Sequence, residues 1–575
     1  MTKLRKGIKF SDMTYKRPDM EAVMADMENY FKRIQRASSA KEQEILYREY
    51  EKKFYEALTM QELSTIRSYL DVNDEFYSGE QEYWDNVIPE IQEAEAKIHK
   101  ALATSPYLEE LKESLGSTIL KKWELETQTI HEKILPLMAE ENELVTKYTK
   151  LVSGATVDYK GETVSLSKMK TFFDDPNRQE RREAFYIYHH WFYEHREELD
   201  GIYDELVKNR TKQARELGFN SYTELAYLIR GRIGYGREEI EAFRKEVLKK
   251  WVPFVAELKE EQRKRLEIPT FRLYDSPLRF KDGSPKLKVK NQEFLEAGIK
   301  MFHSLSKETG DYIDFLTENK LMDLFDRPGK VPYDGFSEDI TAYNENFIFG
   351  HFNGKETDLE VFTHEFGHSF AGEIAIRQPD LIIASRNPIG QEIAETHSKS
   401  MELLTSGFDQ LFFDEYNLKK YQQKKIEYAA YFISSICIGD EFQHRIYDNP
   451  EMTPEDRNIA YEEIYKKYNP YIDYSDLPFE TWGCMWQDTM VIYAMPFYLI
   501  DYALAQTLAL QFYAESLLDL EGAWKRYMSF LSKAGTRTFT GIVKECGLRS
   551  PFEKDCFDYI YKSVKDIRSK LHNQN

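Results

Sequence analysis

Five consecutive residues, His364-Glu365-Phe366-Gly367-His368, set two imidazoles four positions apart with a carboxylate between them. Residues four apart lie about 40° from each other around an α-helix, so both rings can reach one tetrahedral metal ion. Glu365 then projects beside that ion, where its carboxylate can take a proton from water, the arrangement of hydrolytic zinc sites. Such a site needs a third protein ligand and an open position. The metzincin spacing is ruled out, because Ala371 and Ile374 stand where that pattern has Gly and His. Downstream, NPIGQEIAETHSKSMELLTSGF sets Glu392, Glu395 and Glu402 on one helical stripe with Glu395 central. Glu395 is the expected third ligand, with Glu392 and His397 as the alternatives.

The elements that must position these groups are legible around them. NENFIFGHFNGKETDLEVFTHEFGHSFAGEIAIR reads as a strand over Asn346 to Phe352, a turn at Asn353-Gly354 and a helix from about Asp358 to Ile376. Gly367, a weak helix residue in mid-helix, predicts another element packed closely against it. In the next helix Asn387 and Pro388 read as cap and first turn, and Gly407 as the stop.

Elsewhere the chain reads as amphipathic helices from about Arg17 to Ser153, then a hairpin, TVDYKGETVSL, turning at Lys160-Gly161. A helical stretch follows from about Asn177 to Arg215, and the pattern loosens into loops between Ile268 and Phe336. Within YHHWFYEHREE, His189, His190 and His195 have no i, i+4 pair and are not expected to bind metal. No internal repeat or low-complexity linker stands out.

At 575 residues the chain exceeds what one hydrophobic core usually serves, so two or more helical subdomains are expected. Its 78 basic and 99 acidic side chains leave a net charge of −21, which repels phosphate backbones and anionic headgroups. Neither nucleic acid nor a membrane is an expected partner. The acid excess by itself is read as solvated helix faces. Cys437, Cys484, Cys546 and Cys556 form neither a disulfide framework nor a CxxC pair, which points to a reducing, cytoplasmic setting. The charged start lacks the apolar stretch of a secretory signal, and Asp501 divides the apolar run from Thr489 to Ala514 into pieces too short for a membrane span.

Taken together, HEFGH, AETHSKSMELL, DEFQHRIYDNP and WQDTMVIYAMPFYLIDYALAQ resemble the thimet oligopeptidase/oligoendopeptidase F family of zinc metallopeptidases, most strongly from about Asn346 to Gln506. ELGFNSYTELAYLIRGRIGYGREEIEAFRKEV is similar to the family's approach to its catalytic domain. The resemblance implies one zinc ion per chain on His364, His368 and Glu395, and a mainly α, two-lobed helical shell around a deep substrate channel, with a small β-sheet next to the HExxH helix. It further implies an endopeptidase whose substrates are short unstructured peptides. The corresponding division is an N-terminal helical domain over residues 1–200 and a catalytic domain over residues 201–575. Glu402 would orient a ligand imidazole, and the strand residues Phe349, Gly350 and His351 would hold an extended peptide by backbone pairing at an exposed edge.

One departure from the family pattern concerns the oxyanion. Relatives on the oligoendopeptidase side carry a histidine soon after the WQ pair, whereas Trp486-Gln487 is followed here by Asp488, Thr489, Met490, Val491 and Ile492. The tyrosines remain: Tyr498 and Tyr502 as candidate catalytic donors, and Tyr493 as a candidate substrate contact. Two other readings stay open, a zinc-containing peptide-binding protein with weak or lost turnover, and a metallocarboxypeptidase using Arg230, Arg232 or Arg386 to hold a terminal carboxylate. A His₂Glu site also admits cobalt or manganese, and the sequence leaves monomer and homodimer equally open.

Overall fold

A computed structural model describes residues 6–129, 131–332, 335–478 and 482–573. The first five residues of the charged start lie outside the described residues. The fold is mainly α with two small sheets. By compactness the chain divides into two units, each assembled from three stretches, so a single cut after residue 200 does not separate them. One unit comprises residues 1–127, 286–418 and 508–548, and the other residues 128–285, 419–507 and 549–575. No helix among the described residues is long and apolar enough to cross a membrane.

In the first unit, helices Met20–Arg36, Ala40–Leu70 and Glu75–Ala103 begin where Asp19, Ser39 and Asp74 accept first-turn backbone N–H groups. Their apolar stripes bury Ile34, Tyr47, Tyr50, Phe54, Trp84 and Ile98 in one core with Trp123. Each such burial contributes roughly 1.5–3 kcal/mol.

The same unit contains the three-stranded sheet. Glu345–Phe352 lies in its middle, parallel to Met322–Phe325 and antiparallel to Gly335–Ile340. The exposed edge expected at Phe349, Gly350 and His351 is therefore corrected: strands flank that segment on both sides. The apolar run Phe347-Ile348-Phe349 explains why, since all three side chains are buried, as suits a central strand. The Phe349 ring stacks on Phe336 with centroids 4.9 Å apart. His351 Nε2 lies 3.0 Å from Asp326 Oδ1.

The loops expected between Ile268 and Phe336 hold more structure than that: helices Gln292–Leu305 and Lys307–Glu318, and the strand Met322–Phe325. The turn residues Asp275, Pro277, Gly283, Pro328 and Gly329 all fall outside these elements. Ser306 ends the first helix and caps the second by accepting the N–H of Thr309 at 3.1 Å.

In the second unit, Thr156–Tyr159 pairs antiparallel with Glu162–Ser165, and Lys160 and Gly161 take the positive φ values, 54° and 84°, that a two-residue hairpin turn demands. The helical stretch that follows is two helices, Arg178–Glu194 and Arg196–Glu216, interrupted at His195. The His195 ring lies 2.8 Å from the Trp191 carbonyl, a side-chain bond to the preceding turn.

Candidate metal centre

The HExxH helix spans Thr357–Ile376. Before it, the turn at Gly354 (φ 88°) is tied down by Asp358, whose carboxylate accepts the N–H groups of Gly354 and Lys355 at 2.7 and 3.1 Å. Phe362, Phe366 and Phe370, spaced four apart, are buried. Phe366 stacks on Phe302 at 3.6 Å, and Phe362 packs near Phe294 at 5.7 Å. That aromatic face fixes the rotation of the helix and leaves His364 and His368 partly accessible on another face.

The second helix spans Gln391–Leu404, with Gly390 as its N-cap. It starts three residues later than Asn387-Pro388 suggests, because the Asn387 side chain is engaged with the buried Asp339 carboxyl instead of capping a helix. The two helices meet at Gly367, where a Cβ would come within 2.8 Å of Ser398 Cα, 2.9 Å of His397 O and 3.0 Å of Met401 Cβ. This is the close approach that a mid-helix glycine foreshadows.

Because the helices touch there, Glu395 reaches the histidines. His364 Nε2 and His368 Nε2 are 3.3 Å apart, and Glu395 Oε2 lies 3.4 Å from the first and 3.8 Å from the second. A tetrahedral ion with bonds of about 2.0–2.1 Å keeps its ligand atoms roughly 3.3 Å apart, so the donor set fits zinc. Among the described residues no other group of His, Cys, Asp and Glu is gathered this way. Glu392 and His397, the alternatives to Glu395, are buried outside the cluster, with the His397 ring against Phe530.

Several partners hold these side chains. His364 Nδ1 is 2.6 Å from Glu402 Oε1, which also accepts from Lys399 Nζ at 2.9 Å. Glu395 Oε1 accepts from Gln391 at 2.9 Å and Oε2 from Ser398 at 3.0 Å. Gln391, Ser398 and Lys399 were not singled out from the sequence. Their signal was their spacing from Glu395 and Glu402, at i−4, i+3 and i−3 respectively.

Burial raises the Glu365 carboxyl to about 7, with Glu395 and Glu402 adding to the rise and His364 opposing it. Burial also dominates at His368, lowering it to about 4 against the attraction of Glu395. Glu402 goes the other way despite its burial: the charge of Lys399 and the bond to His364 hold it at about 2. Against its burial, the bond to Glu402 and the nearby carboxylates raise His364. The arrangement is a carboxyl poised near neutrality beside a neutral His368 and an anionic Glu395, and such a carboxyl is suited to moving a proton. Gly335, at the start of an edge strand, lies directly beside this carboxylate, since a Cβ on it would sit 3.2 Å from Glu365 Cγ.

The candidate tyrosines belong to the second unit. The Tyr498 and Tyr502 hydroxyls are 3.1 Å apart and both residues are half-buried. Tyr493 is corrected from a substrate contact to a core residue: it is fully buried, stacked on Tyr148 at 3.9 Å, and its hydroxyl donates to Leu199 O at 3.4 Å. Of the arginines nominated for a terminal carboxylate, Arg232 is completely buried against Asp501, Arg230 lies over the Tyr498 ring, and Arg386 donates to Asn344.

Two family models match the chain: one described as Peptidase M3 N-terminal domain over residues 10–130, and one described as Peptidase family M3 over residues 171–560. Among solved structures, a PZ peptidase A with an inhibitor is 35% identical, with a TM-score of 0.89 over 99% of this chain and 100% of that one. A protein described as an oligoendopeptidase F is 34% identical, with a TM-score of 0.88 over 97% of this chain and 98% of that one. Another so described, from Bacillus anthracis str. Ames, is 33% identical, with a TM-score of 0.84 and 99% of each chain covered. No curated protein matches the chain.

Proposed function

The chain belongs to peptidase family M3, and on that footing we propose that it is a zinc-dependent endopeptidase that hydrolyses short, unstructured peptides in the cytoplasm. The observation that carries this reading is the triangle of His364 Nε2, His368 Nε2 and Glu395 Oε2, whose sides of 3.3, 3.4 and 3.8 Å suit a tetrahedral ion. Zinc held there would acidify a water molecule and polarise the scissile carbonyl.

The chain's own groups do the rest. Glu365 takes the proton from the attacking water and returns it to the leaving amine, a double role for which a carboxyl raised to about 7 is well matched. Glu402 accepts the Nδ1–H of His364 and so keeps Nε2 as the donor facing the ion. Tyr498 and Tyr502, whose hydroxyls lie 3.1 Å apart, are the candidate hydroxyl donors in place of the histidine absent after Trp486-Gln487. An extended peptide would pair with the edge strand Gly335–Ile340, whose first residue lies beside Glu365, and not with the central strand. The four cysteines, all buried and none in a disulfide, accord with a reducing compartment.

The test is metal analysis of the purified protein together with cleavage of a quenched fluorescent oligopeptide and mass mapping of its products. Zinc at one equivalent, internal cuts, and a Glu365→Gln variant that keeps zinc but loses turnover are expected. Undiminished turnover by that variant would refute its role as base, and cuts confined to a chain end would refute the endopeptidase reading.

A further inference from the structure

The stretch YHHWFYEHREE takes no part in the metal cluster, yet it shapes a cavity of its own. From it His190, Trp191, Glu194 and His195, with Tyr186 and Ile187 just before, line a space of about 560 Å³. That is within the range of roughly 300–1,000 Å³ typical of ligand pockets. The remaining wall is chain that leaves helix Leu135–Ser153 and enters the first hairpin strand, Gly154 to Asp158. All of these residues belong to the second unit.

The hairpin presents an uncovered strand edge there. In an antiparallel pair, residues that bond across the ladder alternate with residues whose N–H and C=O point outward. Ala155 O accepts from Leu166 N at 3.1 Å across the hairpin, so in the same register Val157 and Tyr159 bond inward. Thr156 and Asp158 therefore turn their main-chain groups to the other edge. Among the described residues this sheet has two strands only, so no strand covers that edge. Thr156 and Asp158 are both exposed, and both line the cavity.

The lining is selective as well as open. It carries two acids, Asp158 and Glu194, and neither lysine nor arginine. Tyr186 stacks with His190 at 5.0 Å and Trp191 with His195 at 4.1 Å, an aromatic surface of the kind that receives the stem and charge of a basic side chain.

We propose that this groove binds a short, extended peptide bearing lysine or arginine, which adds as a third strand beside Thr156–Tyr159 and sets its basic side chain near Asp158 and Glu194. The strand offers an edge of only about 14 Å, matched by a guest of about four residues, so the occupant is an oligopeptide in solution. The inference concerns binding and stands apart from the hydrolytic reading, because the metal cluster belongs to the other unit.

The experiment uses the zinc-loaded full chain carrying Glu365→Gln and a fluorescein-labelled, end-blocked peptide of alternating valine and lysine with one photoreactive benzoylphenylalanine. Crosslinks are expected within residues 154–158 or 186–195. Asp158→Asn/Glu194→Gln, at two exposed positions, should weaken this peptide about fivefold and leave a serine-for-lysine analogue unaffected. N-methylation of every second residue should cost roughly tenfold or more in one of the two phases and little in the other, because only one phase donates to the strand edge. Crosslinks confined to the metal helix would overturn the proposal, as would equal affinity for both methylated series or no binding up to about 1 mM peptide. Chain-to-chain crosslinks at the hairpin would overturn it in favour of a second copy on the same edge.

Discussion

Gly367 and Ser398 touch backbone to backbone: a methyl group on the glycine would lie 2.8 Å from the serine Cα. The obstruction is main chain on a neighbouring helix, so no rotamer change relieves it. Everything that Glu395 offers the two histidines depends on this crossing, because Glu395 sits three residues before Ser398 on the same helix.

Gly367→Ala should therefore push the helices apart, at a cost of about 1–3 kcal/mol. Both a lowered thermal midpoint and a reduced zinc content are expected. A variant that melts lower yet binds zinc with wild-type affinity would show that the crossing serves stability alone.

Glu402→Gln keeps the shape of the side chain and removes its charge beside His364 and Lys399. Partners of this kind typically contribute 10- to 100-fold in metal affinity, and a loss in that range is expected in a competition titration with a chromogenic chelator. Unchanged affinity would reduce Glu402 to a surface counter-ion for Lys399.

A group of acids away from the metal predicts how stability varies with pH. Burial, with Glu62 and Asp339 nearby, raises Glu338 to about 8. Burial raises Glu62 to about 7, against the bonds it receives from Thr341. The unfolded chain sheds both protons near pH 4.3 while the folded chain keeps them until pH 7–8, so unfolding releases protons and stability falls as pH rises through that window. Glu338→Gln should flatten the decline, measured as the difference in urea midpoint between pH 5 and pH 8. An identical slope in the variant would count against the raised carboxyl.

Phe349→Ala tests the corrected role of the central strand. Loss of a fully buried ring stacked on Phe336 should cost about 3–5 kcal/mol, with KM for peptides unchanged in the protein that remains folded. A large rise in KM with little loss of stability would restore Phe349 as a substrate contact.

The sequence by itself determined whatever depends on short range. A spacing of four on a helix aligns His364 and His368 wherever that helix packs, and the turn at Lys160-Gly161 follows from two positive φ values. The mid-helix glycine announced a close neighbour, though not which residue it would meet. Tertiary structure alone decided the rest. A run such as Phe347-Ile348-Phe349 has the same composition at the edge of a sheet or in its middle, and only pairing with both Met322–Phe325 and Gly335–Ile340 made it central. Likewise, one tyrosine among 39 cannot declare itself core or hydroxyl donor, since the burial of Tyr493 depends on Tyr148, a partner far away in the chain. Glu395 stood between these cases: its stripe pointed to the cluster, but its choice over Glu392 and His397 required the crossing at Gly367, a contact between two backbones that no local pattern encodes.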